Sequence, residues 1–210
     1  LAQYRPISLC NVIYKVASKV LANRLKQILP DIISEEQSAF VPGRLITDNV
    51  ITAFECLHFM KTNRSKKNTH CAVKLDMKKA YDHLEWKYLE AIMLKLGFCS
   101  SFLETVMRGV TSVSFSILFN GRQTQEFKPT RGIRQGDPIS PYLFLLAGEG
   151  LSCLLKHEAS RGQIEGIKIA ATAPQIHHLL FADDCLLFCK ASEPNVTCLK
   201  GTIEAYCNAS

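Results

Sequence analysis

Two adjacent carboxylates interrupt an apolar run near the C-terminal end: Leu179-Leu180-Phe181-Ala182-Asp183-Asp184-Cys185-Leu186-Leu187-Phe188. Like charges inside so apolar a stretch are costly unless a partner compensates for lost hydration. The least costly arrangement is a β-hairpin over His177 to Lys190, folded at Asp183-Asp184, with a divalent cation at its tip. Asp tolerates the positive φ of a tight turn, which places the fold of the hairpin at those two residues.

A second candidate ligand lies upstream: Asp76, in Ala72-Val73-Lys74-Leu75-Asp76-Met77-Lys78-Lys79-Ala80-Tyr81-Asp82. Phosphoryl transfer by two cations about 4 Å apart needs carboxylates that can bridge both ions. Hard cations prefer carboxylate oxygens and retained waters, and Asp76 and Asp183 can supply the former from adjacent strands. Taken singly, Asp76 is also readable as an edge-strand Asp paired with Lys74 or Lys78, and Asp183-Asp184 as a plain turn. Together, Asp76, Asp183 and Asp184 imply a nucleotidyl-transfer site.

Around these residues the pattern predicts an α+β chain. Ile13, Val16, Val20 and Ile28 fall near helical spacing, with Lys15, Lys19 and Lys26 on the opposite face and Pro30 ending the run. Cys71 to Met77 reads as a buried strand. Asp82 is placed to cap a helix with Glu85 as its capping-box partner; Leu84, Tyr88, Ile92 and Leu96 form its apolar stripe and Gly97 stops it. Val113, Phe115, Ile117 and Phe119 alternate with serines as a strand does, and Asn120-Gly121 supplies a type I′ turn. Asp137-Pro138 opens a helix running to about Ser160. Gly162 to Ala171 allows a short strand, and a last helix begins near Ser192-Glu193-Pro194. Asn63 to Asn68 is the loop that divides an N-terminal part, 1–70, from the core, 71–210.

The 210 residues carry a net charge of +6, which permits a polyanionic partner. Basic residues cluster at Lys61-Arg64-Lys66-Lys67, at Lys74-Lys78-Lys79 and at Arg122-Lys128-Arg131-Arg134; any one cluster alone reads more readily as a solvated face. No apolar run reaches the length of a membrane span. Nine cysteines are present without a Cys-x-x-Cys pair, which reads as free thiols rather than a zinc site. His177-His178 looks like a metal pair, but neighbours on a strand face opposite ways and cannot share one ion.

Five blocks in order resemble the LINE-type, non-LTR retrotransposon reverse transcriptases, with plant elements the nearest in character. They are Tyr4-Arg5-Pro6-Ile7-Ser8-Leu9, Gln37-Ser38-Ala39-Phe40-Val41-Pro42-Gly43-Arg44, Asp76 with Ala80-Tyr81-Asp82, Gly132-Ile133-Arg134-Gln135-Gly136-Asp137-Pro138-Ile139-Ser140-Pro141, and Phe181-Ala182-Asp183-Asp184. The resemblance implies a right-hand polymerase fingers–palm fold with a ferredoxin-like antiparallel palm sheet and helices on one face. Residues 1–70 would be fingers-like and 71–210 palm with inserted finger elements.

Position by position, the resemblance implies that Asp76 and Asp183 bind two Mg²⁺ ions, with Mn²⁺ a possible substitute. The Met77 carbonyl assists and Asp184 supports the site electrostatically. Tyr81 matches the aromatic gate that rejects a 2′-hydroxyl; without the family match it is a core Tyr on a strand-to-helix turn. Arg5 matches the finger arginine over the incoming nucleotide, and Gln135 and Gly136 match the loop against the nascent base pair. Lys15, Lys19 and Arg44 are candidates for template or triphosphate contact, though helix-surface lysines are usually solvated. Arg131 and Arg134 are candidates for backbone phosphates. The expected partners are an RNA template, a DNA primer and dNTPs, with no membrane.

Against the complete family pattern, the finger lysine, the thumb and the endonuclease region are expected outside this sequence. The family also implies an intracellular site of action, nuclear during integration. A viral-type RNA polymerase or intron maturase shares the chemistry, but Tyr81 argues against ribonucleotide synthesis. A decayed or truncated element acting only as a nucleic-acid-binding module fits the charge equally well.

Overall fold

The computed structural model describes residues 7–63 and 69–210. Arg5 and the basic residues Arg64, Lys66 and Lys67 therefore lie outside the described residues. The first elements in chain order are α1 (Val12–Ile32), α2 (Ile46–Thr62), β1 (His70–Asp76), α3 (Ala80–His83), α4 (Trp86–Lys95) and α5 (Ser100–Thr111). They are followed by β2 (Leu118–Phe119), β3 (Arg122–Gln123), α6 (Ser140–Ser160), β4 (His178–Phe181), β5 (Asp184–Lys190) and α7 (Glu193–Ala209).

The chain forms two compact units, and they do not divide at residue 70. One comprises the residues up to Leu25, Lys79–Ala147 and Ser210; the other comprises Lys26–Lys78 and Gly148–Ala209.

The second unit is built on an antiparallel sheet in the order β1-β5-β4. Strand alternation gives the sheet two apolar faces. On one, Ala72, Leu179, Leu186 and Phe188 pack with Ala53, Cys56, Phe59 and Met60 of α2 and with Ile167 and Ile176. On the other, Cys185, Leu187 and Cys189 are fully buried. Cys71 and Cys189 stand opposite each other across β1 and β5, with sulfurs 3.2 Å apart as free thiols. Of the strand allowed over Gly162 to Ala171, only the bridge Ile167 to Ile176 forms.

In the first unit the expected single helix after Asp82 is two. Asp82 lies inside α3, Lys79 before it takes a left-handed φ of 53°, and Glu85 stands at the N-cap of α4 without a capping side chain. The Glu85 carboxylate is instead paired with Arg131 at 3.2 Å. Gly97 does end the helix region, with φ +87°. The α5 helix was not anticipated from sequence, although Leu103, Val106 and Val110 form its buried stripe at helical spacing.

The strand expected over 113–119 shrinks to the two-residue β2 and a bridge between Phe115 and Phe127. Alternation alone makes no strand where nothing covers it: Ile117, Leu118 and Phe119 are all exposed. The turn was legible, since Asn120 and Gly121 both take the positive φ of a type I′ hairpin.

For α1 the sequence pointed to the wrong face. Ile13, Val16, Val20 and Ile28 are exposed, whereas Ser18, Ala22, Leu25 and Leu29 are buried. Both sets have helical spacing, so periodicity could not choose between them. The helix also continues through Pro30 to Ile32.

Candidate metal and nucleotide site

Antiparallel register sets Asp76 at the end of β1 directly opposite Asp184 at the start of β5. The Met77 amide donates to the Asp183 carbonyl at 3.4 Å, continuing the pairing one residue beyond the strand. Phe181 pairs with Asp184, so the hairpin turn consists of Ala182 and Asp183. Sequence reasoning put the positive φ on an Asp; the structure puts it on Ala182, at 53°.

The physical reason is a buried side chain from elsewhere in the same unit. The Gln37 Oε1 accepts hydrogen bonds from the amides of Ala182 and Ala39, both at 3.0 Å. Around it, the Leu180 amide donates to the Glu36 carbonyl, the Ser38 amide donates to the Leu180 carbonyl, and Asn49 Nδ2 donates to both carbonyls. Gln37 stood inside a recognised block but had no role from sequence, because the Ala182 amide it holds is 145 residues away in the chain. Gln37→Leu strips the buried Ala39 amide and the part-buried Ala182 amide of their acceptor, at about 1–3 kcal/mol each. We expect a loss of about 2–4 kcal/mol in chemical denaturation, and a change below about 0.5 kcal/mol would show that Gln37 does not hold the turn.

Like charges facing each other across strands are unfavourable. Lys74 approaches Asp184 at 3.3 Å, but both side chains are solvent-exposed and such a pair contributes little. The sequence alternative had Lys74 beside Asp76. Three carboxylates at adjoining strand ends, open to water, are a donor set that fits a hard divalent cation keeping part of its hydration.

Next to the pair, burial drives the Cys185 thiol pKa to about 12, and Asp184 and Asp183 add to the rise. Cys99, at the exposed N-cap of α5, moves the other way through its hydrogen bond with Ser101. Since thiolates are the reactive form, brief alkylation at neutral pH should modify Cys99 while sparing Cys185. Peptide mapping before and after denaturation checks this; early labelling of Cys185 would contradict the buried placement.

The nucleotide candidates belong to the first unit. Tyr81, half-buried on α3, stacks on Phe144 with ring centroids 5.2 Å apart, and its carbonyl accepts the Ile133 amide at 2.8 Å. Gly132 crosses behind this turn where a Cβ would lie 2.9 Å from the Asp82 carbonyl oxygen, so only glycine fits. Gln135 accepts the Ser8 amide at 2.9 Å through its carbonyl, and Gly136 takes φ +93° against the same residue.

Asp137 is more than the helix cap expected of it. Its buried carboxylate accepts from Tyr14 Oη at 2.7 Å, from Ser18 Oγ and from the Ile139 amide, and pairs with Arg134 at 3.1 Å. Burial, reinforced by Asp137, raises the Tyr14 hydroxyl pKa. The helix proper begins three residues later, at Ser140.

Two candidate phosphate contacts are committed inside their own units. Arg44 donates to the carbonyls of Pro30, Ile33, Ser34 and Gln37 at 2.6–3.2 Å, clamping the end of α1. Arg134 binds Asp137, donates to the Gly109 carbonyl at 2.8 Å and lies 3.9 Å above the Tyr14 ring. This geometry disfavours both as nucleic-acid contacts, because their donors are engaged by backbone carbonyls and, for Arg134, by a buried carboxylate. Lys15 and Lys19 are exposed on α1, and Arg131 is half-exposed beside Glu85.

The family model for "Reverse transcriptase (RNA-dependent DNA polymerase)" matches residues 1–209. The chain belongs to the reverse transcriptase family. Among curated proteins it is 31% identical over 184 residues to the transposon TX1 uncharacterized 149 kDa protein of Xenopus laevis, covering 88% of this chain and 14% of that protein. It is 30% identical to the Pol polyprotein of the R2DM retrotransposable element of Drosophila melanogaster, over 88% of this chain and 16% of the relative. It is 25% identical to the R2 Pol polyprotein of Popillia japonica, over 99% of this chain and 27% of the relative. These relatives place it with the LINE-type, non-LTR reverse transcriptases, and the chain spans well under a third of their length.

The fold is shared with a telomerase from Candida tropicalis, solved with a fragment of telomeric RNA, at TM-score 0.61 and 12% identity; the match covers 93% of this chain and 32% of the telomerase. This reverse transcriptase domain thus has the α+β fingers–palm fold, and the family's chemistry depends on divalent metal ions. Among the described residues no helix is long and apolar enough to cross a membrane.

Proposed function

We propose that the protein carrying this reverse transcriptase domain copies an RNA template into DNA, joining a DNA primer's 3′-hydroxyl to the α-phosphate of an incoming dNTP. The observation that carries this reading is the facing pair Asp76 and Asp184 with Asp183 in the adjoining turn. Asp76 and Asp183, with the Met77 carbonyl, are the proposed holders of two Mg²⁺ ions, and Asp184 sets the local charge. When bound, such ions acidify the attacking hydroxyl and neutralise the pyrophosphate leaving group. The chain's own part is to fix the carboxylates through strand register and through Gln37. In the other unit, Tyr81 is proposed to exclude a 2′-hydroxyl, with Gln135 and Gly136 at the nucleotide; Arg5, outside the described residues, is a further proposed nucleotide contact. Action in the nucleus during integration accompanies this reading. The deciding experiment is primer extension on RNA by a polypeptide long enough to include a thumb, comparing dNTPs with rNTPs; no extension with dNTPs would refute it.

Lys15, Lys19 and Arg131 are the proposed phosphate contacts. The 210-residue chain should bind primer–template weakly, with a salt slope that steepens by about 0.9 for each phosphate neutralised on B-form duplex. Filter binding at several salt concentrations reads this slope, and Lys15→Glu with Lys19→Glu should flatten it by about 2. An unchanged slope would move the contact elsewhere.

A further inference from the structure

The pairing of His177 with His178 departs from the sequence expectation. β4 begins at His178, so His177 precedes the strand and escapes its alternation. The two rings stack with centroids 4.8 Å apart, and their Nδ1 atoms face each other at 2.7 Å. The Glu36 carboxylate joins them: one ligand atom from each of Glu36, His177 and His178 lies within 4.8 Å of the others. All three residues belong to the sheet-bearing unit.

We propose that Glu36, His177 and His178 form a transition-metal site, of which zinc is the natural occupant, distinct from the aspartate cluster. The donor set, two imidazole nitrogens and one carboxylate, is one that zinc accepts with a fourth position left for water. Tetrahedral zinc bonds of about 2.05 Å separate two nitrogen ligands by about 3.3 Å, so the Nδ1 pair needs to open by only about 0.6 Å.

The surroundings support a ligand role. Ser152 Oγ lies 3.0 Å from His178 Nε2. Accepting the Nε2–H there fixes the tautomer whose lone pair is on Nδ1, the second partner that metal-bound histidines require. His178 is completely buried, and burial keeps both rings neutral, the form that binds metal. Lys156 holds Glu36 Oε2 at 2.7 Å, which leaves Oε1 for the ion. The Glu36 carbonyl already receives the Leu180 amide, so the ion would cross-link the segment at Glu36 to the root of the hairpin bearing Asp183.

The test uses the 210-residue chain labelled with ¹⁵N-histidine and titrated with zinc chloride under reducing conditions. One equivalent should shift the Nδ1 resonances of His177 and His178, leave His178 Nε2 protonated, and raise the thermal midpoint. His177→Gln and Glu36→Gln should each weaken zinc binding at this site at least about tenfold, and Ser152→Ala about tenfold through lost orientation. His177 and Glu36 are only partly buried, so their variants keep the test informative if one at His178 does not fold. Unmoved histidine resonances at saturating zinc, as when the thiols alone take the metal, would overturn the site. So would undiminished affinity in His177→Gln.

Discussion

Replacing Asp76 or Asp183 with Asn abolishes primer extension in a polypeptide long enough to include a thumb, and leaves the fold intact. An amide is a poor ligand for a hard cation, and the cations supply several kcal/mol of transition-state stabilisation. Losing about 4 kcal/mol lowers the rate by about a thousandfold. The cross-strand geometry sharpens the expectation for Asp76. It faces Asp184, so removing its charge relieves a repulsion of about 0.2–1 kcal/mol in metal-free protein. Asp76→Asn should therefore be as stable as the parent or slightly more so while inactive. Single-turnover extension paired with thermal melts in chelator reads both quantities. Near-normal extension by either variant at matched stability would sink the assignment.

Shrinking Tyr81 to Val admits ribonucleotides. The ring is proposed to occupy the space a 2′-hydroxyl needs, and steric differences of this size in a pocket are worth roughly 10–200-fold in specificity. The readout is the ratio of kcat/KM for dNTP over rNTP, because it reports differential transition-state binding. Stacking on Phe144 gives Tyr81 a packing role as well, so some loss of stability accompanies the change. Stability and sugar choice separate cleanly in this measurement: a destabilised but active enzyme can lose or keep discrimination. An unchanged ratio in an active variant makes Tyr81 a packing residue alone.

The candidate carboxylates were legible because charge stands out in an apolar sequence. Asp183 and Asp184 stand out against Leu179, Leu180, Leu186 and Leu187, and β1 and β5 place Asp76 where the sequence implied. What could not be read was which of several satisfied patterns tertiary packing would use. Both faces of α1 have helical spacing, and burial chose Ala22, Leu25 and Leu29. The serine-alternating run over 113–119 lacks a covering layer, and most of it stays out of strand. Arg44 and Arg134 look alike as surface cations, yet each donates to backbone carbonyls that the folded chain brings near, Ile33 for Arg44 and Gly109 for Arg134. Gln37 and the histidine pair were hidden for the same reason, since their roles rest on partners remote in sequence.

The register of β1 against β5 also dictates a timetable for folding. Cys71 and Cys189, which face each other across these strands, are 118 residues apart in the chain, whereas β4 and β5 are joined by a two-residue turn. Closing so long a loop costs roughly 4 kcal/mol in chain entropy, so the β4–β5 hairpin should precede the docking of β1. On the ribosome, β1 emerges early and waits for residues 184–190, with the whole of Lys79–Ala147 made in between. Throughout that interval β1 is an unpaired strand, open to pairing with another chain. Asp76 and Lys74, the charged residues that β1 exposes in the finished fold, give the waiting strand a polar end that discourages such contacts.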